Sequence, residues 1–306
     1  YLTDFVAKYK NDIEKISPSF FEATVVLAFC YFRDMKTDVA VIETGLGGRL
    51  DATNVILPEV SVITNISYDH MNILGDTIEK IAFEKAGIIK PGIPVLIGEH
   101  NPETKKVFEE TAKKNKSQII FAQNKPFRKK YKSELTGIYQ EKNINTVLHA
   151  VEVLKNQGWK ISEKNIKNGI EKVITSTGLH GRWEKLQSKP DVYCDIAHNE
   201  AGIKELIKQL KQIKYKNLHI VFGVVNDKDV EKVLSLLPKK ANYYFTKANI
   251  PRALDEKTLK NRAEKYKLNG DAFVNVKSAL RAAKKNALKS DLIVVTGSAF
   301  VVAEVV

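Results

Sequence analysis

Chemistry-bearing residues in this chain cluster where apolar runs end. Glu43-Thr-Gly-Leu-Gly-Gly-Arg-Leu-Asp-Ala-Thr-Asn54 sets a carboxylate at the close of the run Val39–Glu43 and follows it with a glycine-rich loop. Gly45, Gly47 and Gly48 let backbone approach a ligand closely or turn with positive φ; a tight turn without a ligand would use the same glycines. The loop is not the dinucleotide fingerprint, whose last glycine is replaced by Leu50. After the next apolar run comes Asn65-Ile-Ser-Tyr-Asp-His70. Glu43 and His70, at neighbouring strand ends, could share one divalent cation with water and phosphate oxygens, since Mg²⁺ takes only one or two protein ligands. A histidine there serves equally well as a loop hydrogen-bonder. In Glu84-Lys-Ala-Gly-Ile-Ile-Lys-Pro-Gly92 a helix ends at Lys85. An inward-facing lysine has a lowered pKa and a reactive amine, whereas an outward one merely complements the helix dipole.

The second half repeats the pattern. Asp195-Ile-Ala-His198-Asn199, Phe222-Gly-Val-Val-Asn-Asp-Lys228-Asp229, Thr246-Lys-Ala-Asn-Ile-Pro-Arg252 and Thr296-Gly-Ser298-Ala-Phe300 each follow an apolar run. Each alone reads as a capped turn into a helix. Four polar strand ends on one sheet edge suggest a cleft, because ligands of open parallel sheets sit beyond the carboxyl ends of the strands.

Positioning these residues requires alternating strands and helices. Short buried runs predict strands at 39–43, 60–66, 95–98, 119–122, 183–186, 192–197, 218–224, 243–246, 273–275 and 292–296. Helical spacing predicts helices at 18–33, 77–86, 103–115, 140–157, 161–173, 202–213, 228–237, 259–265 and 276–287. In the fourth, Ile144, Val147, Leu148, Val151 and Leu154 share one face. The alternation implies parallel sheets covered by helices, in two α/β domains joined near residues 176–181.

Composition narrows the function classes. The chain has 306 residues, 43% apolar and 28% charged, with a formal net charge of +13, which is ordinary for a folded soluble protein. No apolar run reaches the ~18 residues of a membrane span. Lysines are dispersed rather than concentrated, apart from residues 125–132, so a nucleic-acid footprint is not expected; the charge reads as a solvated basic surface, with an anionic partner as the alternative. Cys30 and Cys194 are far apart in sequence and read as buried thiols in a reducing compartment. Tyr1 begins no signal peptide, and without Met the sequence is expected to start mid-protein.

Taken together, the segments Ser17–Glu22, Glu43–Asn54, Asn65–His70 with Leu74-Gly75, Glu84–Lys90, Gly181-Arg182, Asp195–Asn199 and Phe222–Asp229 resemble the folylpolyglutamate synthase/dihydrofolate synthase family of the Mur ligase superfamily. The resemblance implies an α/β fold, with a P-loop-NTPase-like central domain over residues 1–178 and a smaller Rossmann-like C-terminal domain over 179–306. It implies ATP-dependent addition of L-glutamate to dihydropteroate, or to the γ-carboxylate of a tetrahydrofolate polyglutamate, through an acyl phosphate. By the same resemblance Glu43 and His70 hold Mg²⁺ with Ser67 nearby, and Lys85 is carbamylated beside a second Mg²⁺. Asn143, Arg182, Asp195, His198 and Asn199 contact ATP, His198 also serving catalysis, and Lys228, Arg252 and Ser298 hold the incoming glutamate. A cytoplasmic monomer is implied, with no nucleic-acid or membrane partner. The family's Gly-x-x-x-x-Gly-Lys-Ser/Thr loop occurs nowhere in the 306 residues, so the sequence as it stands is expected not to hydrolyse ATP. Ile196 stands where the family more often has Gly. Rival readings are a cell-wall Mur ligase, an inactive nucleotide- or polyanion-binding homologue, and a nucleotide-dependent oxidoreductase, which lacks the glycine spacing.

Overall fold

Short apolar runs separated by amphipathic helices can bury both faces only in layered α/β sheets, and the chain builds two. The computed structural model describes residues 1–226 and 230–306. They form two compact units, one of Tyr1–Lys125 with His149–Gly158, the other of Pro126–Leu148 with Trp159–Val306.

In the first unit, α1 (Leu2–Lys8), α2 (Lys10–Ile16) and α3 (Phe20–Met35) precede a three-stranded parallel sheet of β1 (Ser61–Ile63), β2 (Val95–Ile97) and β3 (Ile119–Phe121), paired in that order. Helix α3 starts where Ser19 and Glu22 exchange side-chain and backbone hydrogen bonds in a capping box. Between the strands run α4 (Met71–Leu74), α5 (Ile78–Ala86) and α6 (Pro102–Lys114). Ala82 and Ala86 of α5, with Phe108 and Ala112 of α6, pack against Ile63, Val95 and Ile97.

Residues 39–43, expected as the first strand, form none. Val41 is 93% exposed and Val39 58%. A β-prone pentapeptide becomes a strand only by exchanging ladder hydrogen bonds with a neighbour, and this one pairs with no described strand, although β1 lies at the edge of its sheet.

Helix α7 (Gln140–Asn156) begins in the second unit and ends in the first. That division breaks the single apolar stripe expected of it: Val147 is 48% exposed, while Val153, off that stripe, is buried. The second unit continues with α8 (Glu163–Glu171), α9 (Val173–Thr177), β4 (Glu184–Gln187), β5 (Asp191–Cys194), α10 (Glu200–Leu210), β6 (Leu218–Phe222) and α11 (Val230–Leu236). Then follow β7 (Asn242–Thr246), α12 (Glu256–Glu264), β8 (Gly270–Phe273), α13 (Val276–Asn286), β9 (Leu292–Thr296) and α14 (Ala299–Ala303). The sheet order is β4-β5-β9-β6-β7-β8, parallel except for β4, an antiparallel edge strand where a parallel one was expected. Strands β6 and β9 are buried at every position. The strand expected at 273–275 lies earlier, because Asn275 turns out of the sheet to cap α13 through Ser278 N–H. Cys194 is buried and Cys30 only half-buried, a departure from the expected pair of buried thiols; burial pushes the Cys194 thiol up to about 12, which leaves it unreactive. No helix among the described residues is long and apolar enough to cross a membrane.

Backbone approach sets one sharp stability expectation. A Cβ at Gly270 would lie 2.0 Å from the Tyr243 carbonyl oxygen across the β7–β8 ladder, whereas one at Gly169 in α8 meets nothing within 4 Å. Gly270→Ala is expected to lower unfolding free energy by about 2–4 kcal/mol, and Gly169→Ala to raise it by about 0.5–1 kcal/mol. Urea unfolding of both variants checks the pair; a harmless Gly270→Ala would contradict the β7–β8 register.

Candidate functional site

In the first unit the two most distinctive segments lock onto each other. The Arg49 guanidinium chelates the Glu84 carboxylate, with Nη2 2.9 Å and Nε 3.1 Å from its oxygens, and Arg49 N–H donates to the Glu84 carbonyl at 2.8 Å. Asn54 Nδ2 donates to the Gly87 carbonyl at 3.0 Å, and Lys90 Nζ donates to the Asn54 carbonyl at 2.7 Å. Asp51 organises the loop from inside, accepting from Leu46 N–H and from the Thr53 N–H and hydroxyl. Burial works upward on its pKa, but these hydrogen bonds outweigh it and hold the carboxyl below its usual range. Gly48 is obligatory here, since a Cβ would press on Ile88 and on the carbonyls of Glu84 and Lys85.

The sequence-predicted metal residues belong to the same unit. Glu43 is exposed on the extended segment before the loop, and its carboxylate takes no hydrogen bond or ion pair among the described residues. His70 is half exposed, has φ +46, and opens α4 beside Asp69, whose carboxylate accepts the His70 N–H. Ser67 is half-buried, and so is Lys85 at the end of α5, between the inward and outward placements. The carboxylate of Glu43 and the hydroxyl of Ser67, uncommitted among the described residues, and the His70 imidazole are donor types that suit a hydrated Mg²⁺. No group of three or more His, Cys, Asp or Glu side chains among the described residues forms a closed metal cage.

In the second unit the carboxyl ends of β5 and β9 carry the other residues. Asp195 is 6% exposed. Its Oδ2 accepts the Tyr139 hydroxyl and the Trp183 N–H, and its Oδ1 accepts the Ala197 N–H, each at 2.9 Å. Burial pushes its pKa up; the hydrogen bonds and the Arg182 charge oppose that rise without cancelling it. Gly181 (φ +77) and Trp183 (φ +49) turn the chain so that Arg182 sits between them. His198 is exposed, and its Nδ1 must be the donor to the Ile196 carbonyl at 3.0 Å, so in the neutral ring Nε2 carries the lone pair. Asn199 caps α10 by accepting Gly202 N–H. Hydrogen bonds from Gly297 N–H and the Thr296 hydroxyl to the Ala197 carbonyl bring the turn before Ser298 against this segment. Ser298 is buried and caps α14, and the Arg252 guanidinium lies 4.8 Å over the Phe300 ring. Asn143 donates to the Gln140 side chain at 2.9 Å. Lys228 lies outside the described residues. A cavity of about 800 Å³ at the ends of β7 and β8, lined by Lys247, Asn249, Lys277 and Arg281, includes neither Arg252 nor Ser298.

Comparison with known proteins settles the family. A Mur ligase middle-domain model matches residues 3–169, and a Mur ligase glutamate ligase domain model matches 181–299. The dihydrofolate synthase/folylpolyglutamate synthase of Bacillus subtilis is 32% identical over 314 residues, covering 94% of this chain and 71% of that protein. The chain belongs to the folylpolyglutamate synthase/dihydrofolate synthase family of Mur ligases. Among solved members, Escherichia coli FolC in complex with DHPP and ADP superposes with a TM-score of 0.83 at 29% identity, covering 94% of this chain and 70% of that one. The bifunctional Yersinia pestis enzyme complexed with AMPPNP and Mn ion gives 0.79 at 26% identity, with the same coverages.

Sequence reasoning about this family member missed Arg49, Glu84 and Tyr139. The first two are a long-range ion pair, which local patterning cannot reveal. Tyr139 directly precedes α7 and gave no sign that it would reach β5.

The raised pKa of Asp195 has a thermodynamic consequence. Its contribution to stability is complete below the ordinary carboxylate range and falls as pH climbs from there through the raised folded value, because the folded state then binds more protons than the unfolded one. Asp195→Asn is expected to flatten that part of the stability profile in urea titrations from about pH 4 to about pH 7. A slope identical to that of the parent protein would show that the buried carboxyl is not perturbed upward.

Proposed function

We propose that this chain is an ATP-dependent ligase. It joins the amine of L-glutamate to the carboxylate of dihydropteroate, or to the γ-carboxylate of a folylpolyglutamate, through an acyl phosphate. The observation that carries this reading is the convergence of Arg182, Asp195, His198 and Ser298 at the ends of β5 and β9, in a chain of this family. In the first step the substrate carboxylate attacks the γ-phosphorus of ATP, forming a C–O–P bond and releasing ADP. In the second, the glutamate nitrogen attacks the acyl carbon, the amide bond forms and inorganic phosphate leaves.

Charge neutralisation and positioning are what this chemistry demands of a protein. Arg182 supplies a permanent cation, and Asp195 accepts a hydrogen bond from one of the few donors ATP carries, its ribose hydroxyls and adenine amino group. Asn143 presents an amide for the base, and Asn199 adds a polar group beside His198. His198 assists removal of the proton that the glutamate ammonium must lose before its nitrogen becomes nucleophilic. Arg252, Ser298 and Lys228 hold the carboxylates of glutamate. Glu43, His70 and Ser67 would hold Mg²⁺, which when bound shields phosphate negative charge. Lys85, reacting as its free amine with CO₂, forms an N–C bond and loses a proton, leaving a carbamate that serves as a carboxylate for a second Mg²⁺. The functional halves divide in sequence near residue 178, and a monomer in the cytoplasm suits soluble folate substrates.

Labelled glutamate, ATP and Mg²⁺, supplied to the whole gene product with dihydropteroate or tetrahydrofolate, are expected to give labelled amide product; nucleotide binding without product would favour the inactive-homologue reading. Glu43→Ala or His70→Ala is expected to reduce turnover at least about a hundredfold, and near-normal rates at saturating Mg²⁺ would refute their assignment. Lys85→Ala is expected to lose activity and regain part of it with an added short carboxylic acid.

A further inference from the structure

A run of side-chain hydrogen bonds connects two residues assigned to the nucleotide. Asn143 Nδ2 donates to Gln140 Oε1 at 2.9 Å, the Gln140 amide bonds the Tyr139 hydroxyl, and that hydroxyl donates to Asp195 Oδ2 at 2.9 Å. We propose that Tyr139 is a positioning residue for the nucleotide, holding Asp195 so that one acceptor position on its carboxylate stays directed to a ligand donor. The proposal rests on the reading that Asp195 contacts ATP.

The lone pairs of Asp195 make the case. An ionised carboxylate has about four acceptor sites. Tyr139 and Trp183 occupy both on Oδ2 and Ala197 occupies one on Oδ1, leaving one on Oδ1. Without the Tyr139 hydroxyl Oδ2 keeps only the Trp183 N–H, one acceptor site on a buried oxygen goes unfilled, and the carboxylate is free to rotate.

The segment carrying Tyr139 is itself fixed. Ile138 N–H donates to the side chain of buried Gln209 on α10 at 2.7 Å, and Gln140 N–H donates to the Gly137 carbonyl at 2.9 Å. Gly137 leaves room for the ring, as a Cβ there would stand 2.8 Å from it. Burial, followed by the Asp195 charge, raises the Tyr139 pKa, so the hydroxyl remains a donor throughout the working pH range. The other titratable groups bearing on Asp195 are Arg182 and the Cys194 thiol, with Glu184 acting on that thiol in turn.

The test uses Tyr139→Phe in the whole gene product, reading the KM for ATP, kcat, calorimetric binding of ADP and the pH profile of kcat/KM for ATP. Removing the hydroxyl is expected to raise the KM for ATP and the Kd for ADP about tenfold, with kcat within about twofold. The acidic limb should move to higher pH, since Asp195 loses a bond that favours its charged form. Tyr139→His, which retains an N–H donor, should recover part of the affinity. Gly137→Ala, which displaces the ring but keeps the hydroxyl, should weaken ADP binding in the same direction. An unchanged KM, Kd and acidic limb, or a loss confined to kcat, overturns the proposal. A parent protein that binds ADP but makes no amide would refute the ligase reading alone, and the ADP measurements would still decide the role of Tyr139.

Discussion

Keeping the Asp195 carboxylate almost out of water governs the local architecture of the second unit. A buried carboxylate must find donors inside the protein, and helices and strands do not direct spare N–H groups at such a point. The chain therefore departs from regular structure around it. Trp183 adopts φ +49 and turns its N–H onto Asp195, and Gly181 adopts φ +77 just before it. A second carboxylate steadies that turn: Glu184 accepts the Gly181 N–H at 2.8 Å and pairs with His180 at 2.8 Å. The Ile196 N–H closes back onto the Gly181 carbonyl. Arg182 is carried into place by this construction, so a cation and an acceptor stand together without forming a direct ion pair that would silence both.

The first unit meets a related demand by another route. Its glycine-rich loop must hold a defined shape although much of it lies at the surface, and it does so by borrowing the end of α5. The bidentate Arg49–Glu84 contact, the Asn54 and Lys90 bonds and the inward Asp51 fix backbone with side chains. Exposed ion pairs contribute little to stability on their own. Bidentate geometry nevertheless fixes orientation, and here it sets the loop relative to Lys85.

Much of the layered fold was legible because its cause is local. Strands β6 and β9 are continuous apolar runs since both faces are covered, and α5, α6 and α10 follow from helical spacing, their Thr77, Asn101 and Asn199 caps seen in the structure. What was not legible depends on partners. Residues 39–43 have the composition of a strand but pair with no described strand, and the residues of α7 are divided between two units, so periodicity named Val147 and passed over Val153. Site residues at strand ends could be found because topology delivers them to one edge. Tyr139 could not, since its role arises only once Gly137 and Gln209 place it against β5.

Several residues at this edge look at first like simple helix caps, and in geometry they are. Capping and ligand binding need not compete, because they use different halves of the same group. Ser298 accepts the Phe300 N–H at its oxygen, and the hydroxyl proton remains available for a carboxylate. His198 shows the complement: its Nδ1–H bonds the Ile196 carbonyl, which fixes the tautomer and turns the basic nitrogen away from the backbone. In each case the backbone contact selects which end of the side chain is presented. A loop that must be held anyway thus orients its polar groups at no additional cost in conformational entropy. The capped turns at the ends of β5 and β9 are in this way structural joints that still present polar groups at the edge of the sheet.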